Sequence, residues 1–529
     1  MHAIQTRPLL GKFVKGAALG LACMLGWVAD AQAAAPGITG PAFNLSAAAA
    51  YITQPDGASV YAWGYGCLGA PTGFAPAGVG GANCPVMQLP GPTLIVRQGD
   101  SVTVTLTNNL PAAAGNTSIL FPGFNVSAAP SAASGPCATP AQGLLTIEAA
   151  HGCAVTYTFT ATTEGTHSYY SGTQGDLQVE MGMSGAIIVL PAAVPANCNG
   201  GTSGTSTDQA KASHGEVDFR LAKSAYSHAS TCIDREYLFQ FTEMDPRIHR
   251  QVEEQKDMPC TQPTGCLSVE TEPYHPAYFM INGRSMPDNM DTHYAVQYPN
   301  QPYNGNPHLH PGELVLLRVI GQGRWQHPFH EHGNHVRVLA RDGNLLLSRS
   351  DPSKLAGPLL FTTTTTPGQA MDGIFQWTGK GLNWDVFGHG YSGDGSACIP
   401  DANGYYTSNP GASNYYEWCG DHRKPLESKP FGNVGSGGPM TLPDPNIVAN
   451  GAWYSGSPYL GGEATSRAVG STPIPPSGTV ANSPTAEAGF AFMWHSHNER
   501  EITTNNIFPG GMLMMMLVDP WAFVIDEAK

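Results

Sequence analysis

Long helices have little room in this chain. Glycine occupies 63 and proline 44 of its 529 positions, about a fifth of the whole where ordinary usage is roughly an eighth. Proline removes a backbone donor and glycine adds backbone freedom, so both interrupt helices and populate turns. Between the breakers lie short segments that alternate polar and apolar residues. Ser101-Val102-Thr103-Val104-Thr105-Leu106-Thr107 runs into the turn pair Asn108-Asn109, the pattern of a half-buried strand. Similar strands are expected at Ala154–Thr160, Gly185–Leu190, Arg235–Phe241, Tyr278–Arg284 and Gly312–Ile320, then at 335–341, 359–366 and 372–377. The stretch Gly489–Leu517 reads as a strongly apolar strand pair. The fold class implied is all-β.

The chain divides into a leader at 1–33, a first β domain at 41–195, a polar linker at 196–232 and a second β domain at 233–522. Residues 380–485 form an insertion rich in Gly, Asn, Tyr, Pro and Ser, long enough to suggest a lid or an interaction surface. In the leader, Arg7, Lys12 and Lys15 precede an apolar run from Ala17 to Ala29, and Ala31-Gln32-Ala33 offers a small-residue cleavage site. This is the layout of a secretory signal peptide, so a periplasmic or extracellular location is expected. No later run is long enough to span a membrane. With 25 Lys+Arg against 40 Asp+Glu and a formal charge of −15, the chain lacks the basic surface that nucleic acid requires.

Export changes the meaning of the cysteines. Of eleven, Cys23 falls inside the leader. The rest fall into neighbours: Cys67 with Cys84, Cys137 with Cys153, Cys198 with Cys232, Cys260 with Cys266, Cys398 with Cys419. Short-range disulfides are the expected reading, which leaves no thiol for a metal.

Two of the histidine clusters stand out: His327-Pro328-Phe329-His330-Glu331-His332-Gly333 and Trp494-His495-Ser496-His497. Residues two apart on a strand share a face. His330 and His332 therefore project together, as do His495 and His497, while His327 and Ser496 point the other way. If the two strands are neighbours, four imidazoles converge on one metal site suited to copper, zinc or iron. Glu331 should face away. Glu499 shares parity with His495 and His497 and joins the shell if the strand runs on that far. His308-Leu309-His310 is a third such pair, read as surface loop or as metal ligands. Alternation puts Met512, Met514 and Met516 on one face, read as core or as a cuprous site.

These segments resemble the copper motifs of the multicopper oxidases, the laccase-like family of cupredoxin domains. His327–Gly333 is similar to that family's His-Pro-Phe-His-x-His-Gly, and His495-Ser496-His497 stands where it has His-Cys-His. Residues 90–109, Gly165-Thr166 through Val189, Ile281-Asn282-Gly283-Arg284 and Pro509-Gly510-Gly511-Met512 add further likeness, so that most of 45–522 outside the insertion is covered. The resemblance implies two cupredoxin-like Greek-key β-sandwiches, bound copper, oxidoreductase chemistry on a small-molecule or metal-ion substrate, and room for a homo-oligomer.

The departures limit what it implies. The family's blue-copper thiolate falls at Ser496, whose hard hydroxyl cannot replace it. The later blue-copper histidine falls at Glu501, leaving His327 and, as axial ligand, Met512. In the first domain the family's Thr-Ser-Ile-His-Trp-His-Gly is Thr117-Ser118-Ile119-Leu120-Phe121-Pro122-Gly123, and its second histidine pair falls at Tyr170 and Gly172. Laccase-type chemistry is therefore excluded. Three readings remain: a copper oxidoreductase of altered mechanism, a copper-sequestering protein without turnover, and a structural or interaction protein of the cell exterior with a relic site.

Overall fold

The computed structural model describes residues 35–75, 83–198, 207–216, 221–380, 399–412, 415–418, 420, 456–460, 488–519, 521 and 524–525. The leader, the pair Cys398–Cys419 and most of the 380–485 insertion lie outside them.

Among the described residues the first half supplies twelve strands, beginning with β1 (Gly37–Thr39), β2 (Ala42–Thr53), β3 (Ser59–Cys67), β4 (Phe74–Ala75), β5 (Leu94–Arg97) and β6 (Ser101–Asn108). There follow β7 (Ser127–Pro130), β8 (Ala141–Gln142), β9 (Ile147–Glu148), β10 (Ala154–Thr160), β11 (Gly165–Tyr170) and β12 (Ser184–Leu190). Two five-stranded sheets, in the orders β11-β12-β5-β1-β4 and β3-β2-β6-β10-β7, face each other across one core. The alternation read in the sequence is observed: Val102, Val104 and Leu106 of β6 are buried, and the threonines between them are partly exposed.

The second half begins with β13 (Arg235–Met244), β14 (Tyr278–Ile281), β15 (His308–Leu309), β16 (Val315–Gly321), β17 (His327–Glu331) and β18 (Val336–Arg341). It continues with β19 (Asn344–Leu345), β20 (Leu359–Leu360), β21 (Thr362–Thr365), β22 (Ala370–Phe375), β23 (Gly456–Leu460), β24 (Ala488–Ser496) and β25 (Leu513–Val518). One sheet runs β14-β13-β16-β22-β18-β19 with β20 on β18; the other runs β15-β25-β24-β17-β21 with β23 on β24. Their shared core holds Phe239, Phe329, Trp494, Met512, Met514 and Met516. The all-β expectation is met, as two β-sandwiches.

β12 is buried along its whole length because both of its faces are covered. Ile187 and Val189 enter the first core, while Ala186, Ile188 and Leu190 pack on Leu238, Ile320 and Ala370 of the second sandwich. A continuous apolar run is the sequence mark of such a strand. At the same junction the buried Arg318 donates to Glu236 Oε2 at 3.1 Å and to Thr166 Oγ1 at 3.0 Å. Thr166 in turn donates to Asp372 at 2.5 Å, so a charged network spans the two sandwiches.

Among the described residues three α-helices join the sheets: α1 (Gly175–Gln178), α2 (Asp208–His214) and α3 (Pro246–Gln255). α3 starts at Asp245, which accepts the Arg247 N–H at 3.0 Å, and has Pro246 in its first turn, a standard capping arrangement. Its Ile248 and Val252, one turn apart, are buried in the core of the first sandwich although the helix belongs to the second half of the chain. Four of the expected disulfides are present: Cys67–Cys84, Cys137–Cys153, Cys198–Cys232 and Cys260–Cys266. Among the described residues no helix is long and apolar enough to cross a membrane.

Candidate metal centre

β17 and β24 are antiparallel neighbours, registered with His330 opposite His495. Strand alternation sends Phe329 and Trp494 into the core and the histidines to the other face. The ring centroids of His330 stand 4.7 Å from His332, 5.6 Å from His495 and 4.9 Å from His497. His332 and His495 are 5.1 Å apart, and His495 and His497 are 5.4 Å apart. Three of the rings are buried and His497 is exposed.

Hydrogen bonds to neighbouring groups orient two of the rings. His330 Nδ1 is 2.8 Å from Thr362 Oγ1, and His495 Nδ1 is 2.7 Å from its neighbour's carbonyl, Ser496 O. His495 thereby turns Nε2 toward His332 Nε2, 3.2 Å away. Two nitrogens held about 2.0–2.1 Å from one tetrahedral ion stand about 3.3 Å apart, so this pair is spaced for a shared cation. As the side chains stand, no three His, Cys, Asp or Glu groups among the described residues already converge on one point. Burial first, then the neighbouring His495 and His497, pushes His330 down to about 4. Burial also lowers His495. Neutral imidazole is the form that ligates metal.

The remaining candidates lie elsewhere. His327 is buried on the core side, its Nδ1 2.8 Å from Glu501 Oε2 and its Nε2 2.9 Å from Glu243 Oε2. Ser496 Oγ also donates to Glu501, and Asn498 Nδ2 does so at 2.8 Å. Burial opposes charge on His327, but the two carboxylates outweigh it and hold the ring up at about 9. With both nitrogens engaged by carboxylates, His327 is the cation of an ion-paired cluster and does not stand as a metal ligand. Glu243 was not singled out from the sequence, although it continues the inward parity of Tyr237, Phe239 and Phe241.

Glu499 does not join the shell: β24 ends at Ser496, and Glu499 sits exposed in the turn beyond. Met512 is wholly buried in the second core beside Met514 and Met516, which places it with the packing residues. Glu331 faces away from the quartet as expected. It is buried, accepts from Thr363 Oγ1 at 2.7 Å, and burial pushes it up to about 8. His308 and His310 are not on a surface loop. β15 pairs with β25 and buries both. His308 pairs with Asp519, and His310 contacts Glu216 Oε2 at 3.3 Å and stacks on Trp521 at 4.4 Å.

Comparison with known proteins adds three findings. Residues 85–193 match the family model described as multicopper oxidase. No curated protein sequence matches the chain. Among solved structures the chain is similar to the multicopper oxidase mgLAC, at 15% identity over 90% of this chain and 86% of that one, with a TM-score of 0.44. It is also similar to a blue copper oxidase from Nitrosomonas europaea (15%, 90% and 85%, TM-score 0.44) and a copper nitrite reductase from the same organism (17%, 65% and 86%, TM-score 0.37). Over residues 85–193 the chain is similar to the multicopper oxidase family.

Proposed function

We propose that this is an exported copper-binding protein of multicopper-oxidase descent, with His330, His332, His495 and His497 of the second sandwich as ligands. The observation that carries this reading is the gathering of four imidazoles, one pair already spaced for a shared ion. Four disulfides and a leader of signal-peptide layout support export. The donor chemistry fits copper, since imidazole suits that metal.

Bound copper would supply one-electron redox chemistry at this face. The surrounding protein favours the neutral form of His330 and His495, fixes these two rings through Thr362 and the Ser496 carbonyl, and leaves His497 open to solvent. A small molecule or a metal ion would reach the centre from that side. Oxidoreductase turnover at that copper is a further step beyond binding. Sequestration without turnover is the second reading, favoured by the closed His327–Glu501–Ser496 cluster, which supplies no thiolate for taking electrons from a substrate.

Elemental analysis of the purified protein beside a His330→Ala/His497→Ala variant tests binding: stoichiometric copper in the first and its loss in the second are expected. Copper-free wild-type protein, with melting unchanged by added copper, overturns the reading. Oxidation of phenols, ferrous, manganous or cuprous ion, lost on His495→Ala, separates turnover from sequestration.

A further inference from the structure

The first sandwich carries a cleft of about 670 Å³ on the face that lacks histidines, inside the roughly 300–1,000 Å³ range of small-molecule sites. Of the four positions where the resembling family has histidine, Leu120, Tyr170 and Gly172 all line it. Leu120 and Tyr170 are bridged by reciprocal backbone bonds of 2.8 and 3.3 Å. A Cβ on Gly172 would stand 2.8 Å from Leu120 Cγ, so the glycine makes room for that leucine. The rim is the β8–β9 hairpin, whose adjacent Leu144 and Leu145 are 95% and 64% exposed. These two neighbouring leucines set an apolar edge beside the mouth of the cleft.

One lining side chain is charged, Glu148. Its Oε1 accepts from Thr173 Oγ1 at 2.9 Å and its Oε2 from Asn116 Nδ2 at 3.1 Å. Each carboxylate oxygen keeps a further acceptor site. The hairpin crosses tightly over it: a Cβ on Gly143 would lie 2.4 Å from Glu148 Oε1. Glu148 is half-buried, and a carboxylate fixed among leucines and a tyrosine discriminates by charge, since it attracts a cation and repels an anion in a partly desolvated setting.

We propose that this cleft binds a small organic cation, an amine on an apolar ring or short chain, with Glu148 as its counter-ion. The apolar part lies against Leu120, Leu144, Leu145 and Tyr170, and the ammonium donates to Glu148. The site is separate from the histidine quartet and does not depend on copper.

Titration calorimetry on the full-length protein with 4-methylbenzylamine, 4-methylbenzyl alcohol and 4-methylbenzoate tests this. The amine is expected to bind about fivefold more tightly than the other two, about 1 kcal/mol, the upper range for a partly exposed charge pair. Glu148→Gln should erase that preference, and Leu145→Arg, at an exposed position, should weaken the amine by placing a competing cation at the rim. Unchanged melting and copper content show that both variants are folded. Failure of all three probes to bind wild type, preference for the carboxylate, or undiminished amine binding by Glu148→Gln overturns the proposal. So does self-association in sedimentation that Leu145→Arg abolishes, since the apolar edge would then meet a second copy.

Discussion

His327 is held between Glu243 and Glu501 with no exposed surface. In the unfolded chain its ring titrates near 6.5; in the folded chain it is held at about 9. That gap corresponds to about 3 kcal/mol of stability linked to one proton. The folded state binds the proton more tightly, so the contribution is complete below pH 6.5 and is lost as pH rises through about 9. Melting temperature should therefore fall by about 3–5 °C between roughly pH 6 and pH 9.5 from this group, for a folding unit of this size. Glu180 and Glu331, both pushed up to about 8 by burial, lower stability across part of the same window. The comparison that isolates His327 is consequently wild type against Glu501→Gln, in which one of its two carboxylates becomes neutral while the other groups are unchanged. The variant should lose about half of the His327 contribution and show a shallower alkaline fall. Selective labelling of the histidine Cε1 carbons gives the direct readout, with His327 cationic near pH 7.5. Parallel melting curves for the two proteins, or a neutral ring near pH 7.5, would refute the argument.

Further outcomes follow from other buried groups. Arg318→Met should destabilise by about 3–5 kcal/mol, because Glu236 and Asp372 are left buried beside a lost cation; differential scanning calorimetry and limited proteolysis between the sandwiches measure it. Glu331→Gln should match wild type below pH 4.5, the ordinary carboxyl value, gain on it between about pH 4.5 and 8 as the unfolded wild-type carboxyl ionises while the folded one holds its proton, and keep that full advantage above about pH 8. Copper uptake should survive His327→Gln, whose side chain lies on the core face, even as melting falls; loss of copper there would place His327 in the centre.

The strands were legible because alternation is a local pattern. β10 and β6 sit where polar and apolar residues alternate, and β12 where a short run is wholly apolar. The pairing of His330 with His495 was inferable from two matching clusters, since a strand spaces such residues on one face. What was not legible depends on partners remote in sequence. Glu243 meets His327 across 84 positions, and no local spacing reports that. His308 and His310 looked like loop residues because nothing nearby shows that Asp519 and Trp521 cover them. The end of β24 at Ser496 depends on where pairing with β17 and β25 stops, which removed Glu499 from the ligand set.

Helix α3 has a consequence for anyone who wishes to take the molecule apart. It is encoded after the first sandwich is complete, yet Ile248 and Val252 fill that sandwich's interior, and His249 reaches the Tyr61 carbonyl at 2.6 Å. A stop codon placed in the polar stretch before Cys232 would release a fragment with a hole in its side, prone to clump. The complementary fragment would carry a helix whose inward face, Ile248 and Val252, is left uncovered. The two halves are two architectural units but one folding unit, and they must be expressed together.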